Sequence, residues 1–232
     1  MLVAVKSLRY YFRMNNSNRQ YSPIDKIMFQ IDNGLRTVFG KPIVTERANP
    51  QEVIEADSKQ ALSATEKTFS ARLMRINHAG EVAAQGLYQG QALTAKLPDV
   101  RDKMQRAAQE ENDHLVWCER RIKELDSHTS YFNPLWYFGS VSIGALAGIA
   151  GDKWSLGFVA ETERQVVKHL DEHLHTISEN DIESRAVLEQ MKIDEGHHAT
   201  VALESGAAEL PAPIKSLMAL TSKVMTNTAY WF

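Results

Sequence analysis

The chain has 232 residues, 44% of them hydrophobic, with a formal charge of −3 and one cysteine. That length suffices for a substantial core. The mildly acidic balance leaves no basic footprint for nucleic acid, and a lone cysteine excludes a disulfide within the chain and fits a reducing compartment. Residues 1–21 carry Lys6, Arg9, Arg13 and Arg19 and no acid, and Met1–Val5 is too short for a secretory apolar core. The segment reads as a tail, disordered or a start-site extension with Met14 as the alternative start; a mitochondrial-type presequence also fits. No function is assigned to it. Ser22-Pro23-Ile24-Asp25 then starts a helix, with serine as cap, proline in the first position and an acid in the first turn. Its apolar face runs Ile24, Ile27, Met28, Ile31, Leu35 and Val38 to Gly40, and Gly40 to about Leu62 is a linker. The N-terminal helix and linker occupy 22–62.

From residue 63 to 232 the chain reads as one helical bundle. Ser63-Ala64-Thr65-Glu66 is a capping box. The long helix behind it, to about Lys96, sets Leu73, Asn77, Glu81, Ala84 and Tyr88 on one face, with Gly80 and Gly86 allowing close packing. Pro98-Asp99 opens a second helix to about Asp126, whose apolar stripe is Val100, Met104, Ala107, Ala108, Leu115, Cys118, Ile122 and Leu125. Thr129 to Gly151 contains no charged residue but is short and glycine-rich for a membrane span. Spanning would also place the helices before and after it on opposite sides of a bilayer. A buried hairpin or an interface-seated helix is expected instead. A third helix from about Trp154 to Ser178 carries the stripe Leu156, Val159, Glu163, Val166, Leu170, Leu174, Ile177; a fourth runs from about Asp181 to Glu209. Beyond Pro211 and Pro213 a last amphipathic helix carries Ile214, Leu217, Met218, Val224 and Met225 and ends at Trp231 and Phe232. Segments near 129–151 and 214–232 are the candidates for membrane contact.

The chemistry lies in acids on core stripes. Glu111 and His114 fall on the apolar face of the second helix, and Glu195 and His198 on that of the fourth. Residues three apart on a helix share a face, and a buried carboxylate is costly unless compensated. Glu81 and Glu163 occupy similar core slots, 30 residues before Glu111 and 32 before Glu195, as in a duplicated helix hairpin. Four glutamates match the charge of two divalent cations, and two neutral imidazoles complete the set. These are the donors of carboxylate-bridged di-iron and di-manganese bundles, and the oxygen-rich set suits iron or manganese. Surface ion pairs are the plain alternative. His197 competes with His198, but its partner three residues back is Asp194. Asp194 and Asp113 are candidates to orient the imidazoles. His169 reads equally as a donor behind the ligands and as a solvated residue, Tyr88 chiefly as core packing. Cys118 reads as a small core hydrophobe, and His78, His128, His173 and His175 as surface residues.

Asn77-His78-Ala79-Gly80-Glu81, Glu111-Asn112-Asp113-His114, Glu161-Thr162-Glu163 with His169, and Asp194-Glu195-Gly196-His197-His198 together resemble the demethoxyubiquinone hydroxylase family, bacterial branch, over roughly Ser22 to Phe232. The resemblance implies an all-α fold: a ferritin-like four-helix bundle with a long crossover, an N-terminal helix and a C-terminal amphipathic helix. It implies a di-iron monooxygenase of ubiquinone biosynthesis that hydroxylates 2-polyprenyl-3-methyl-6-methoxy-1,4-benzoquinol with O2. Carried over by position, Glu81, Glu111, His114, Glu163, Glu195 and His198 would hold two Fe2+ ions and form the catalytic centre. Further implications are peripheral attachment to the cytoplasmic face of the bacterial inner membrane (the matrix side of the mitochondrial inner membrane in a eukaryote) and ubiquinone-biosynthesis proteins as partners. A ferritin-like iron storage or oxidation protein and a di-manganese catalase or peroxidase are the competing readings.

Overall fold

A computed structural model of the chain describes residues 22–45 and 47–232, and the tail expected over 1–21 lies outside them. Helix α1 (Pro23–Phe39) starts as expected: the Asp25 amide donates to Ser22 Oγ at 3.2 Å, and the Ser22 amide donates to the Asp25 carboxylate at 2.9 Å. The linker behind it contains two short 3-10 turns, Pro50–Val53 and Ala56–Ser58. Then come α2 (Ala64–Thr94), α3 (Pro98–Glu124), α4 (Asn133–Ala150), α5 (Asp152–Thr176), α6 (Ile182–Glu204) and α7 (Ala212–Trp231). No strand occurs among the described residues.

Caps fix several ends. Ser63 and Glu66 form the capping box of α2, the Ser63 amide donating to Glu66 Oε2 at 2.8 Å. Asp181 caps α6 by accepting from the Ser184 amide and also takes a 2.7 Å ion pair from the buried Arg121 of α3. Helix α6 stops at Glu204, five residues before the expected Glu209. Gly206, at φ +93°, turns the chain away there, a backbone state that glycine adopts freely.

Two apolar clusters reveal the topology. One gathers Met74, Ile122, Leu170, Leu188 and Met191; the other gathers Tyr88, Met104, Leu156, Val159 and Ala202. Helices α2 and α6 run from the first cluster to the second, and α3 and α5 run the opposite way. Thus α2–α3 and α5–α6 are antiparallel hairpins, while α3 and α5 are parallel. Successive core helices that run parallel need a long crossover between them, and α4 provides it. On all four core helices the stripe glutamate falls between residues of one cluster and residues of the other. The acids therefore sit at mid-bundle, sealed by hydrocarbon on both sides.

The uncharged segment is neither a hairpin nor wholly buried: it is the single helix α4, with one face laid on α2. The contact is backbone to backbone. A Cβ on Gly90 would collide with the Val141 carbonyl oxygen and lie 2.8 Å from the Ala145 nitrogen. A Cβ on Gly144 would collide with the Leu87 carbonyl oxygen and lie 3.1 Å from the Gln91 nitrogen. Gly86 has the close approach expected of it, to Tyr137, but a Cβ on Gly80 would meet nothing within 4 Å. Gly80 faces open space because the α2–α4 crossing lies further along the helix, at Gly86 and Gly90. The opposite face of α4 leaves Leu135, Phe138, Leu146 and Ile149 exposed, and α7 leaves Leu217, Leu220 and Val224 exposed. No helix among the described residues is long and apolar enough to cross a membrane.

Candidate metal centre

Each core helix delivers its glutamate to one place. Two groups of donor atoms form, each within 4.8 Å: Glu81, Glu111, His114 and Glu195, and Glu111, Glu163, Glu195 and His198. All six side chains are buried, and the groups share Glu111 and Glu195. Glu81 and His114 complete one set, and Glu163 and His198 the other. His197, one residue from His198, is exposed and outside both sets.

The imidazoles are aimed by their far nitrogens. His114 Nδ1 faces the acids, 2.8 Å from Glu111 Oε2 and 3.2 Å from Glu195 Oε1, while its Nε2 lies 2.9 Å from Asp194 Oδ2. His198 Nδ1 lies 3.0 Å from Glu111 Oε1 and 3.3 Å from Glu195 Oε2, while its Nε2 lies 2.8 Å from Glu110 Oε2. In each case an acid is placed to accept the Nε2 proton, which turns Nδ1 inward and, once its own proton is lost, offers that lone pair to a cation. The pattern is reciprocal: Asp194 precedes Glu195 but holds His114, and Glu110 precedes Glu111 but holds His198.

Several expectations change here. Asp113 touches neither imidazole: it accepts from the Thr45 amide at 2.7 Å, the Thr45 hydroxyl, and Arg47 Nε at 2.8 Å. Its place on the helix turns it away from the acids, towards the linker. Glu110 was missed, although the repeated acid-Glu-x-x-His spacing contains it. Tyr88 is more than packing, since its fully buried hydroxyl donates to Glu163 Oε1. His169 belongs to neither donor set: its Nε2 lies 3.2 Å from Ser222 Oγ and its Nδ1 3.7 Å from Glu172 Oε2. His78 and His173 are buried rather than on the surface, beside Asn133 and Asn77 at 3.4 and 3.1 Å. Burial pushes both pKa values down to about 4. Cys118 is fully buried, as its stripe position implies.

The electrostatics ask for cations. Burial, and then the neighbouring Glu111 charge, raises Glu81 well above the carboxylate range; burial followed by Glu195 does the same to Glu163. Burial opposes a charge on His114, yet Glu111 and Asp194 hold its pKa well above the ordinary value. Burial likewise opposes a charge on His198, but Glu110 and Glu111 raise it. Without metal, then, protons take the cations' place. Buried Glu81 Oε2 accepts no hydrogen bond, with His114 Nδ1 at 3.6 Å as its neighbour in the acid cluster. The residues fit a pair of divalent ions by donor type, charge and open valence. Beside the centre, a cavity of about 150 Å³ is bounded by Tyr88, Met104, Glu110, Leu156, His198 and Val201.

Comparison with known proteins accords with this geometry. The family model described as "Ubiquinone biosynthesis protein COQ7" matches residues 68–229. A Nitrosococcus oceani protein named 3-demethoxyubiquinol 3-hydroxylase is 62% identical over 213 residues, covering 92% of this chain and 98% of its own. Proteins of the same name from Ectopseudomonas mendocina and Acinetobacter baumannii are 55% and 54% identical, over 92% of this chain and 98% and 99% of theirs.

Proposed function

The chain belongs to the ubiquinone biosynthesis COQ7 family, and from that premise we propose that its four-helix centre is the active site of a 3-demethoxyubiquinol 3-hydroxylase using two iron ions. The chain is an enzyme of ubiquinone biosynthesis, and its substrate is a ubiquinol intermediate. In detail that substrate is 2-polyprenyl-3-methyl-6-methoxy-1,4-benzoquinol, and O2 is the co-substrate. The observation that carries the metal reading is the sharing of Glu111 and Glu195 between two buried donor sets.

Glu81 and His114 would hold one iron, Glu163 and His198 the other, with Glu111 and Glu195 between them. Bound there, two ferrous ions supply the electrons and Lewis acidity for dioxygen activation. The chain does the rest. Asp194 and Glu110 keep the imidazole lone pairs turned inward. The Tyr88 hydroxyl holds one Glu163 oxygen, steering the other. The two apolar clusters keep bulk water from the acids. The apolar walls of the cavity at His198 and Tyr88 support entry of the quinol ring there.

A polyprenyl substrate resides in a bilayer, so the enzyme works at its surface. The exposed apolar residues of α4 and α7 support peripheral attachment, on the cytoplasmic face of the inner membrane in a bacterial cell. Complementation of a strain blocked at this hydroxylation tests the reading. Wild type restores ubiquinone; Glu111→Ala and Glu195→Ala do not. Failure of the wild type, or full rescue by either variant, contradicts it.

A further inference from the structure

The linker between α1 and α2 makes a group of polar contacts at the metal centre's outer edge. Asn112 Nδ2 donates to the Ile43 carbonyl at 2.8 Å, and the Thr45 amide donates to Asp113 at 2.7 Å. Arg47 spans the two Glu-x-x-His helices. Its Nε donates to Asp113 on α3 at 2.8 Å, its Nη1 to Asp194 on α6 at 2.7 Å, and its Nη2 to the Glu110 carbonyl at 3.3 Å. Its guanidinium also covers the Trp117 ring at 4.9 Å. The Asp194 oxygen that it grips is the one beside His114 Nε2.

The opposite imidazole has no such cover. Glu110, behind His198, pairs with Arg106 of its own helix, whose side chain is 66% exposed. The cavity opens on that side. The acid behind His114 is thus strapped across two helices by a separate segment, while the carboxylate behind His198 takes its ion pair from a local surface arginine. A guanidinium fork fixes two acids at once in a way that an ammonium does not.

We propose that Thr45 and Arg47 form a clamp on the metal centre, with Arg47 a positioning residue that sets how tightly the Glu81–His114 side retains its ion. It acts through Asp194 on the His114 ring and ties α3 to α6. The two ion positions are accordingly unequal: a retained one under the clamp and a more exchangeable one beside the cavity. This rests on the two-ion reading given above.

The test uses the full chain loaded with Co(II), whose visible spectrum reports its ligand geometry, and follows transfer of the metal to an excess chelator. Wild type is expected to release two ions in two phases. Arg47→Met is expected to quicken the slow phase about 10- to 100-fold, leave the fast phase unchanged and alter the spectrum of the slow ion. Arg47→Lys, which keeps the charge but not the fork, is expected to fall between them, and carries the test if Arg47→Met does not fold. A merely structural role lowers the melting temperature equally with and without Co(II); the clamp shrinks the rise that Co(II) produces. Wild type binding fewer than two ions overturns the metal reading and the clamp together. Two ions bound, with the slow phase and spectrum unchanged in the variants, overturns the clamp alone.

Discussion

Adding one methyl group at two glycines of α4 tests how the crossover is docked. Gly139 is exposed, with nothing within 4 Å of an added Cβ. In Gly139→Ala the gain is reduced backbone entropy in the unfolded chain, about 0.5–1 kcal/mol. Five residues on, Gly144→Ala meets only backbone. Its Cβ would lie 3.0 Å from Leu87 C and 3.1 Å from Gln91 N, where ordinary contact begins at 3.4 Å, and would strike the Leu87 carbonyl oxygen outright. No rotamer relieves that clash, so α4 must lift from α2 along the crossing. Overpacking costs about 1–3 kcal/mol, and a backbone-to-backbone clash belongs at the upper end, about 3 kcal/mol. For a chain of this size roughly 2–4 °C accompanies each kcal/mol. Circular-dichroism melts at fixed metal loading are expected to show Gly139→Ala about 2 °C higher and Gly144→Ala roughly 6–12 °C lower than wild type. Shifts of the same sign, or a neutral Gly144→Ala, would refute the packing argument.

Other outcomes follow from the charged groups. Loading the metal-free protein at pH 7 should release up to four protons, one each from His114, His198, Glu81 and Glu163, whose pKa values are all raised; an unbuffered titration showing no release would contradict this. Tyr88→Phe removes the donor to buried Glu163 and should lower stability by about 1–2 kcal/mol, measurable by urea unfolding; no change would mean that the hydroxyl is idle. For His78, burial holds the folded pKa at about 4, below the ordinary histidine value of 6.5. The fold therefore favours the neutral ring, and its contribution is complete above about pH 6.5 and lost as pH falls towards 4. Wild type should lose about 2 kcal/mol more than His78→Gln between pH 7 and pH 5, with parallel curves as the contrary result.

Much of the centre was legible because its chemistry breaks a pattern. Glu81, Glu111, Glu163 and Glu195 stand where leucines belong, and the helical period alone places each beside its neighbours. The bundle's order followed from caps and stripes such as Ser63–Glu66 and Val100–Leu125. What escaped depended on partners distant in sequence. His78 and His173 have no local mark of burial; their neighbours Asn133 and Asn77 come from other helices. Which glycines of α2 meet α4 is set by where the two helices cross, so Gly80 and Gly86 look alike until packed. The linker has no periodicity, and nothing near Arg47 in sequence announces Asp113 or Asp194.

The proposed centre requires Glu111 and Glu195 to serve two ions at once. Titrating Mn(II) into the metal-free protein and recording its electron paramagnetic resonance tests this most directly. The expected result is uptake of two ions per chain with the spectrum of an exchange-coupled pair, lost in Glu111→Ala. Saturation at one ion, or the signal of isolated ions at full loading, would contradict it.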